Sequence, residues 1–423
     1  MVFDRYARIV AILLASAGIA LGAVVTPMHA QAGAAPDSTA KDTTHTAKAA
    51  RDTTKKAADT TKAAPATVIN HIETALAGLK ISGYGEASYA YSTNPDLRSI
   101  PGHIYDRFHD QFSLNALKLV IDKPYDATKW DAAVHADILF GQNATPLQSG
   151  GFSLGNQGDI TQLYVTLNVP TKNGNGVQVT FGKLVTLMGV EVIEDPVNPT
   201  WSEGNQFIYA ENFTATGIQV AYKFGPHADM QLRLNNGWDV VQDNNVGKSF
   251  MGRVGLYPDT LSSIGLVGYV GPEEPNSSTL RYGANVVLWR KVVPTVNVWL
   301  QGDYGREDGL VPSASGSLGA ADWWALGGWV AVDLTPTYNL AFRADYFDDR
   351  DGVRTNGVLF PTFETVPGTA NKFGSGTATL NIKIWSNALV RPEVRYDRSS
   401  LMLYGNGTKK DQVVFALATT FIY

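Results

Sequence analysis

The chain has 423 residues, of which 44% are hydrophobic and 10% aromatic, with 41 glycines, no cysteine and a formal net charge of −5. Aromatic side chains suit pleated strands and glycine suits tight turns, so this composition favours a β protein with many turns. The lack of cysteine excludes stabilisation by disulfides, and the small net charge gives no argument for nucleic-acid binding. The length allows two or three soluble domains or one large barrel.

Residues 1–30 have the plan of a secretory signal peptide. Arg5 and Arg8 precede an apolar stretch over residues 9–25, and small residues follow from Ala30. The alternative is a retained membrane anchor, for which this apolar stretch is short. No later segment has eighteen uninterrupted apolar residues, so no further helical span is predicted.

Residues 31–66 are rich in Ala, Thr and Lys and repeat the tripeptide DTT. They offer little apolar surface to bury, which predicts a solvated linker, whereas a coiled coil would need apolar heptads. In residues 67–80 apolar side chains recur at helical spacing, which predicts a short amphipathic helix. The main domain is then residues 81–423.

From residue 81 onward, apolar and polar residues alternate with the period of two that is typical of β-strands. Leu163, Val165 and Leu167 share one face of such a segment, and polar residues share the other. These segments run to about ten residues, which is long for a soluble sheet and suits a membrane. The pattern predicts sixteen strands, near residues 81–91, 108–122, 129–140, 159–169, 176–184, 214–224, 228–236, 248–257, 261–271, 279–289, 295–305, 322–334, 338–347, 373–385, 388–398 and 410–423.

The connections alternate in length. Those after even-numbered strands are short, and most of those after odd-numbered strands are long, at residues 92–107, 141–158, 185–213, 306–321 and 348–372. Outer-membrane barrels have tight periplasmic turns, long outer loops and an even number of strands. We therefore expect an all-β, transmembrane antiparallel β-barrel of about sixteen strands, with the linker in the periplasm beside the peptidoglycan.

The chain ends within a predicted strand, at Tyr423. A barrel in lipid must pair its last strand with its first, because an open edge would leave backbone groups without hydrogen bonds. Phe415, Leu417, Phe421 and Tyr423 would then face outer-membrane lipid and lipopolysaccharide. An aromatic last residue also resembles the signal by which outer-membrane proteins engage the assembly machinery.

Other classes of protein explain less of the sequence. A secreted β-sandwich or lectin would alternate in the same way, but it would not need long strands or two different ends. An outer-membrane enzyme would need a catalytic constellation, and no G-x-S-x-G element is present. A structural barrel that tethers the envelope through the linker stays open, because only conductance would separate it from a channel.

Four stretches resemble the OmpL-like β-barrel porins, and the likeness covers essentially residues 81–423. They are FGKLVTLMGVE at 181–191, LNNGWDVVQDNNVGKS at 234–249, LAFRADYFDDRDGVRT at 340–355 and VRPEVRYDRSS at 390–400. The resemblance implies an outer-membrane porin for passive diffusion of small polar solutes and ions. It names no particular solute and leaves the oligomeric state open, a homotrimer being an arrangement that porins often adopt.

A barrel of this size encloses water unless a segment folds into it. The third long connection, residues 185–213, is acidic and has no Lys or Arg, and it resembles the constriction loop of general porins. Its carboxylates are Glu191, Glu194, Asp195, Glu203 and Glu211. Arginines occupy the opposite, lumen-facing wall positions Arg233, Arg253, Arg281, Arg343, Arg391 and Arg395. One hypothesis is a transverse field across an eyelet; the other is pairing with nearby carboxylates that stiffens the wall.

The remaining clusters give weaker signals. The carboxylates of Asp348, Asp349 and Asp351 lack the ligand spacing of a calcium loop and are better explained by turn formation. His103 and His109 have no cysteine partner, so no metal or other cofactor is predicted. The pair Trp323–Trp324, with Trp329, could stack sugars in the pore, but an interfacial girdle is the ordinary role and is expected here.

Overall fold

The structure, a computed structural model, describes residues 78–172, 175–312, 318–355 and 369–423. In these residues sixteen antiparallel strands close into one barrel, in which each strand pairs with its neighbours in sequence and the last pairs with the first. The predicted signal peptide, the linker and residues 67–77 of the predicted helix lie outside the described residues. Within the described ranges, no helix has the length and apolar character that a membrane crossing requires.

The strand bounds agree with the predicted ones to within a few residues, except at the connection between the eleventh and twelfth strands. The sequence predicted a loop over residues 306–321, but β11 continues to Pro312 and β12 begins at Leu318. The strands continue because pairing resumes at Val311 with Gly319 after a register shift beyond Glu307. The strands are β1 Lys80–Ser92, β2 Gln111–Lys123, β3 Asp131–Phe140, β4 Gly158–Val169, β5 Val177–Val185, β6 Thr214–Lys223, β7 Ala228–Asn235, β8 Ser249–Asp259, β9 Ser262–Pro272, β10 Leu280–Val293, β11 Val296–Pro312, β12 Leu318–Asp333, β13 Tyr338–Asp349, β14 Asn371–Trp385, β15 Ala388–Ser399 and β16 Asp411–Ile422.

The two ends of the barrel differ. One end, the turn end, has two-residue turns at 260–261, 294–295 and 386–387, and it also holds the start of β1 and the end of β16. The other end, the loop end, carries long connections such as 93–110, 141–157 and 186–213. In the described parts of the loops there are three short helices: α1 Ala144–Leu147, a 3-10 helix Asp195–Val197 and a π-helix Gln206–Ala210.

The two faces of the wall meet different surroundings. Leu163, Val165 and Leu167 are 42 to 49% exposed on the outer face, whereas the inward-facing Arg343 and Arg395 are at most 2% exposed. Apolar side chains therefore cover the outside and charged side chains point inward, as the alternation predicted. A β-sandwich with a dry apolar interior and a polar exterior is excluded.

The seam between the first and last strands extends to a third strand. The backbone amide and carbonyl of Tyr423 exchange hydrogen bonds with Gly83 at 2.9 and 3.0 Å, and the Tyr423 hydroxyl donates to the Lys118 carbonyl at 2.8 Å. A Cβ atom at Gly83 would lie 1.9 Å from the Lys118 carbonyl oxygen and 2.7 Å from the Tyr423 hydroxyl. Glycine at this position therefore lets the terminal tyrosine reach across β1 to β2.

Candidate constriction site

The segment between β5 and β6, residues 186–213, runs inside the barrel and is called the inward loop. The side chains of Asp195, Trp201, Glu203 and Gln206 are each at most 1% exposed. Asn198 shapes its first half, because its side chain accepts from the Val192 amide at 2.9 Å and donates to the Val192 carbonyl at 2.8 Å. The loop thus has a defined fold of its own within the lumen.

Glu191 and Arg343 form the centre of the docked loop. The Arg343 guanidinium lies 2.7 Å from the Glu191 carboxylate and 3.1 Å from the Asp345 carboxylate. The second Glu191 oxygen accepts the Gly204 amide at 2.7 Å, and Trp329 donates to the first at 3.1 Å. One glutamate therefore connects two parts of the loop to two strands of the wall.

Side chains of strand β15 bind backbone groups of the inward loop. Arg391 donates to the Asp195 and Asn198 carbonyls at 2.7 and 2.8 Å. Two residues further on, the Glu393 carboxylate accepts the Trp201 amide at 2.8 Å. Arg395 donates to the Glu203 carbonyl at 2.6 Å and pairs with Asp397 at 2.7 Å. Because the side chains of alternate residues point inward, three consecutive inward positions bind consecutive parts of the loop.

The neighbouring acidic residues of the loop reach a nearby part of the wall, β2 and the loop that follows β3. Glu194 contacts Lys118 of β2, which also pairs with Asp137 of β3 at 2.9 Å. Asn143 donates to the Asp195 carboxylate at 2.8 Å. The Glu194 side chain is 26% exposed, unlike the buried carboxylates of the loop. Glu194 is therefore the acidic group of the site that remains open to water.

The six predicted arginines do not all meet the inward loop. Arg343, Arg391 and Arg395 bind the inward loop as described, and Arg233 donates to the carbonyl of Val185, the last residue of β5, at 2.8 Å. Arg253 instead pairs with Asp229 at 2.7 Å, and Arg281 pairs with Glu307 at 2.7 Å. The structure brings three of the arginines to the inward loop, a fourth to the end of β5 beside it, and places the other two in ion pairs within the wall.

Burial reduces the acidity of the inward loop. The pKa values of Asp195, Glu203 and Glu211 are raised well above their usual range, first by burial and then by neighbouring carboxylates. The neighbours are Glu86 for Asp195, Glu191 for Glu203 and Asp303 for Glu211. A smaller fraction of these three carboxyls is ionised than the sequence would indicate, so they contribute less negative charge to the loop.

Apolar side chains pack between the inward loop and the wall in the loop-end half of the interior. One buried cluster joins Tyr209 and Phe207 of the inward loop to Trp323, Phe347 and Phe373 of the wall, with Tyr209 and Phe373 stacked at 5.4 Å between ring centres. A second cluster packs the loop against β8 and β9 and consists of Met188, Trp238, Met251, Val267 and Tyr269. The sequence reasoning missed this packing, because it treated the inner face as uniformly polar.

The first long loop also folds inward, which the sequence reasoning did not foresee. His103 is fully buried and lies between two carboxylates, 2.5 Å from Asp106 and 2.7 Å from Asp397. Burial and the nearby Arg395 lower the pKa of His103, but Asp106 and Asp397 outweigh them and raise it above its usual value. His103 therefore fastens residues 93–110 to β15.

The prediction that Trp323, Trp324 and Trp329 lie in an interfacial girdle is wrong for two of the three. Trp323 and Trp329 point inward and are at most 1% exposed, and only Trp324 faces outward, where its ring packs on Tyr346 with 5.2 Å between ring centres. The carboxylate of Asp349 accepts the amides of Arg354 and Thr355 at 2.9 and 2.8 Å, so it closes a turn. Among the described residues, no cluster of His, Asp and Glu could hold a metal ion.

Comparison with known proteins identifies the class. The family model "Putative beta-barrel porin-2, OmpL-like" matches residues 78–423, and the chain belongs to this family. It is an outer-membrane β-barrel porin. No curated protein matches the chain.

Solved structures share the fold at low identity. The outer membrane channel DcaP of Acinetobacter baumannii is similar with 14% identity and a TM-score of 0.54, over 82% of this chain and 97% of that one. An anion-selective porin from Comamonas acidovorans is similar with 9% identity and a TM-score of 0.54, over 82% and 99%. The outer membrane protein OmpT of Vibrio cholerae, in a trimer form, is similar with 10% identity and a TM-score of 0.53, over 82% and 99%.

Proposed function

We propose that the barrel is a passive diffusion channel for small hydrophilic solutes and ions, with the inward loop as its constriction and with no catalytic role. The observation that carries the proposal is the placement of charge. Arg343 of β13 and Arg391 and Arg395 of β15 contact the inward loop, and Lys118 of β2 contacts it further round the same wall, all behind an apolar outer face. Charged rings at a constriction set ion preference in channels.

The ion preference of the constriction depends on Glu191 and Glu194. Glu194 is partly exposed beside Lys118, whereas Glu191 is buried against Arg343, so the two carboxylates act in different ways. Neutralising both leaves the cationic wall residues in excess. We expect the double variant E191Q/E194Q to shift the reversal potential in a KCl gradient toward anions, with E194Q alone giving part of the shift.

Planar-bilayer recordings on the purified full chain measure this shift. The matched control is E274Q at the loop end, where Glu274 is 38% exposed and 3.5 Å from Arg281, away from the inward loop. If E191Q/E194Q has an unchanged permeability ratio, the charges at the inward loop do not set ion preference, and the arginines only stiffen the wall.

The turn end faces the periplasm in this proposal, with residues 31–66 on the same side, because outer-membrane barrels carry their short turns there. The chain has no cysteine, so single cysteines report orientation without background. We expect an impermeant maleimide to label L97C and V246C, at positions 86 and 95% exposed at the loop end, in intact cells. K129C at the turn end should react only after permeabilisation.

A structural barrel that anchors the envelope through residues 31–66 is the second candidate. The apolar packing of the inward loop against the wall favours it, because a barrel whose lumen is filled passes no current. Bilayer recordings separate the two functions. A homotrimer is also proposed, since a trimer form exists among the similar structures, and native mass spectrometry in detergent would measure the subunit number.

A further inference from the structure

Three tryptophans form a row on the inner wall of the barrel. Trp289 of β10 lies directly opposite Trp299 of β11, which lies directly opposite Trp329 of β12. Directly opposite residues share a face of the sheet, and Trp329 is inward, so all three indoles face the lumen. Their lipid-facing neighbours are Leu288 and Leu300, at 40 and 51% exposed.

The three indoles differ in what they contact. Trp329 is buried and donates its N–H to Glu191 of the inward loop. Trp289 and Trp299 are half-exposed, and the described residues offer no hydrogen-bond partner to either indole N–H. The indole nitrogens of Trp323 and Trp324 are buried without a hydrogen-bond partner among the described residues. Those of Trp289 and Trp299 are not buried. Both N–H groups are therefore open to the aqueous lumen.

The rings of Trp289 and Trp299 also have no aromatic partner among the described residues. By contrast, Trp238 packs at a tilt against Tyr269, and Trp324 packs at a tilt against Tyr346. The two accessible indoles, Trp289 and Trp299, lie on adjacent strands, one strand spacing of about 5 Å apart, which is about the size of one pyranose ring. Tryptophans that only packed the wall would be covered like Trp323, which is completely buried.

The surroundings of the row are polar. Ser263 lies opposite Trp289 and is half-exposed, and Asn297 is the next inward residue below Trp299. The Arg253 guanidinium, which reaches β9 beside this region, is already paired with Asp229 at 2.7 Å. Lys291 lies between the row and the turn end of the barrel, half-exposed. A neutral ligand with apolar ring faces and many hydroxyls fits these groups.

We propose that Trp289 and Trp299 form a binding platform for neutral oligosaccharides in the turn-end half of the lumen. The C–H faces of pyranose rings would pack on the indoles, and the hydroxyls would accept from the indole N–H groups and bond to Ser263 and Asn297. A sugar on Trp299 would lie next to Trp329, the wall contact of Glu191. The proposal deepens the proposed function, on which it rests, by naming a solute class.

Saturation-transfer NMR on the purified full chain in detergent tests binding without requiring conduction. The probes are maltotriose, cellotriose and raffinose, with sorbitol as a polyol that has hydroxyls but no ring face. We expect transfer to the ring C–H protons of at least one trisaccharide and none to sorbitol. W299A should weaken the affinity about fivefold, the loss that one aromatic contact accounts for, and W299F should retain most of it.

Outward-facing Trp324 supplies the matched control, since W324A should bind as the unaltered chain does. Gel mobility with and without heating verifies that each variant is folded. No transfer to any of the three sugars, or equal affinity in W299A, overturns the platform even if the protein conducts ions. Binding without conduction would instead leave the platform standing and refute the channel.

Discussion

The loop-end and turn-end halves of the barrel interior are built on the same strands but packed differently. At the loop end, Trp323 and Phe347 are fully buried beneath the inward loop. At the turn end, Ser263, Trp289 and Trp299 stay half-exposed. The wall alternates in the same way in both halves, so the difference comes from the long loops, which fold into one half and leave the other open.

The largest effect on the difference between the two halves is expected from removing the ion pair at the centre of the docked loop. R343A deletes the contacts to Glu191, Asp345 and Thr200 and leaves two carboxylates buried without their partner. Breaking a buried ion pair in this way costs about 3–5 kcal/mol. We expect the inward loop to detach and single-channel conductance to rise, with a lower unfolding temperature by circular dichroism.

A surface arginine provides the control for that variant. Arg290 is 56% exposed and pairs with Asp259 at 2.8 Å at the turn end. Exposed pairs contribute about 0–1 kcal/mol, so R290A should change neither conductance nor unfolding temperature appreciably. If R343A conducted like the unaltered chain, the inward loop would not be the barrier.

A smaller change tests the loop without removing a charge. Gly327 of β12 faces Gln206 of the inward loop, and a Cβ atom there would lie 1.8 Å from the Gln206 side-chain oxygen. Gln206 also donates to Asp303 at 2.6 Å, so it cannot move freely. We expect G327A to destabilise the docked loop by about 1–3 kcal/mol through overpacking and to raise conductance less than R343A.

The control for overpacking is Gly302, which faces outward and has open space around the Cβ position. G302A should leave conductance unchanged. Equal effects of G327A and G302A would mean that glycine in the wall, rather than the docked loop, determines the current.

The stability of the inward loop and that of the first loop, residues 93–110, should change in the same direction with pH. The raised pKa of His103 means that its contribution is complete below about pH 6.5 and is lost as the pH rises through the folded value. The raised pKa values of Asp195, Glu203 and Glu211 also favour the folded loop at low pH, because these carboxyls are then protonated. We therefore expect both loops to loosen, and conductance to rise, as the pH increases.

Conductance recorded from about pH 5 to about pH 9, a range that spans the ordinary pKa of histidine, measures this effect. The variant H103N keeps a polar side chain between Asp106 and Asp397 but cannot titrate, so the part of the pH response due to His103 should disappear. Closure on raising the pH would contradict the assignment.

The sequence predicted the wall far better than the interior. The alternation of apolar and polar residues shows which side chains face lipid and which face the lumen, and together with loop length it gives the number of strands. An outward-facing residue such as Val165 needs no specific partner from a distant part of the chain. That Arg343 would face inward was predictable for this reason; that it would bind Glu191, 152 residues away, was not. Lys118, the one charged residue in the run ALKLVI at 116–121, was a signal that could have been used.

The smallest expected effect concerns the seam, which both halves of the interior share. Y423F removes the hydroxyl that donates to the Lys118 carbonyl at 2.8 Å and keeps the ring over Gly83. One such hydrogen bond contributes about 0.5–1.5 kcal/mol, so the unfolding temperature should fall slightly, with conductance unchanged. Y338F is the matched control, because the described residues offer no partner to the Tyr338 hydroxyl. If Y423F altered conductance as R343A does, the seam and the inward loop would be coupled, and the two halves of the interior would not be independent.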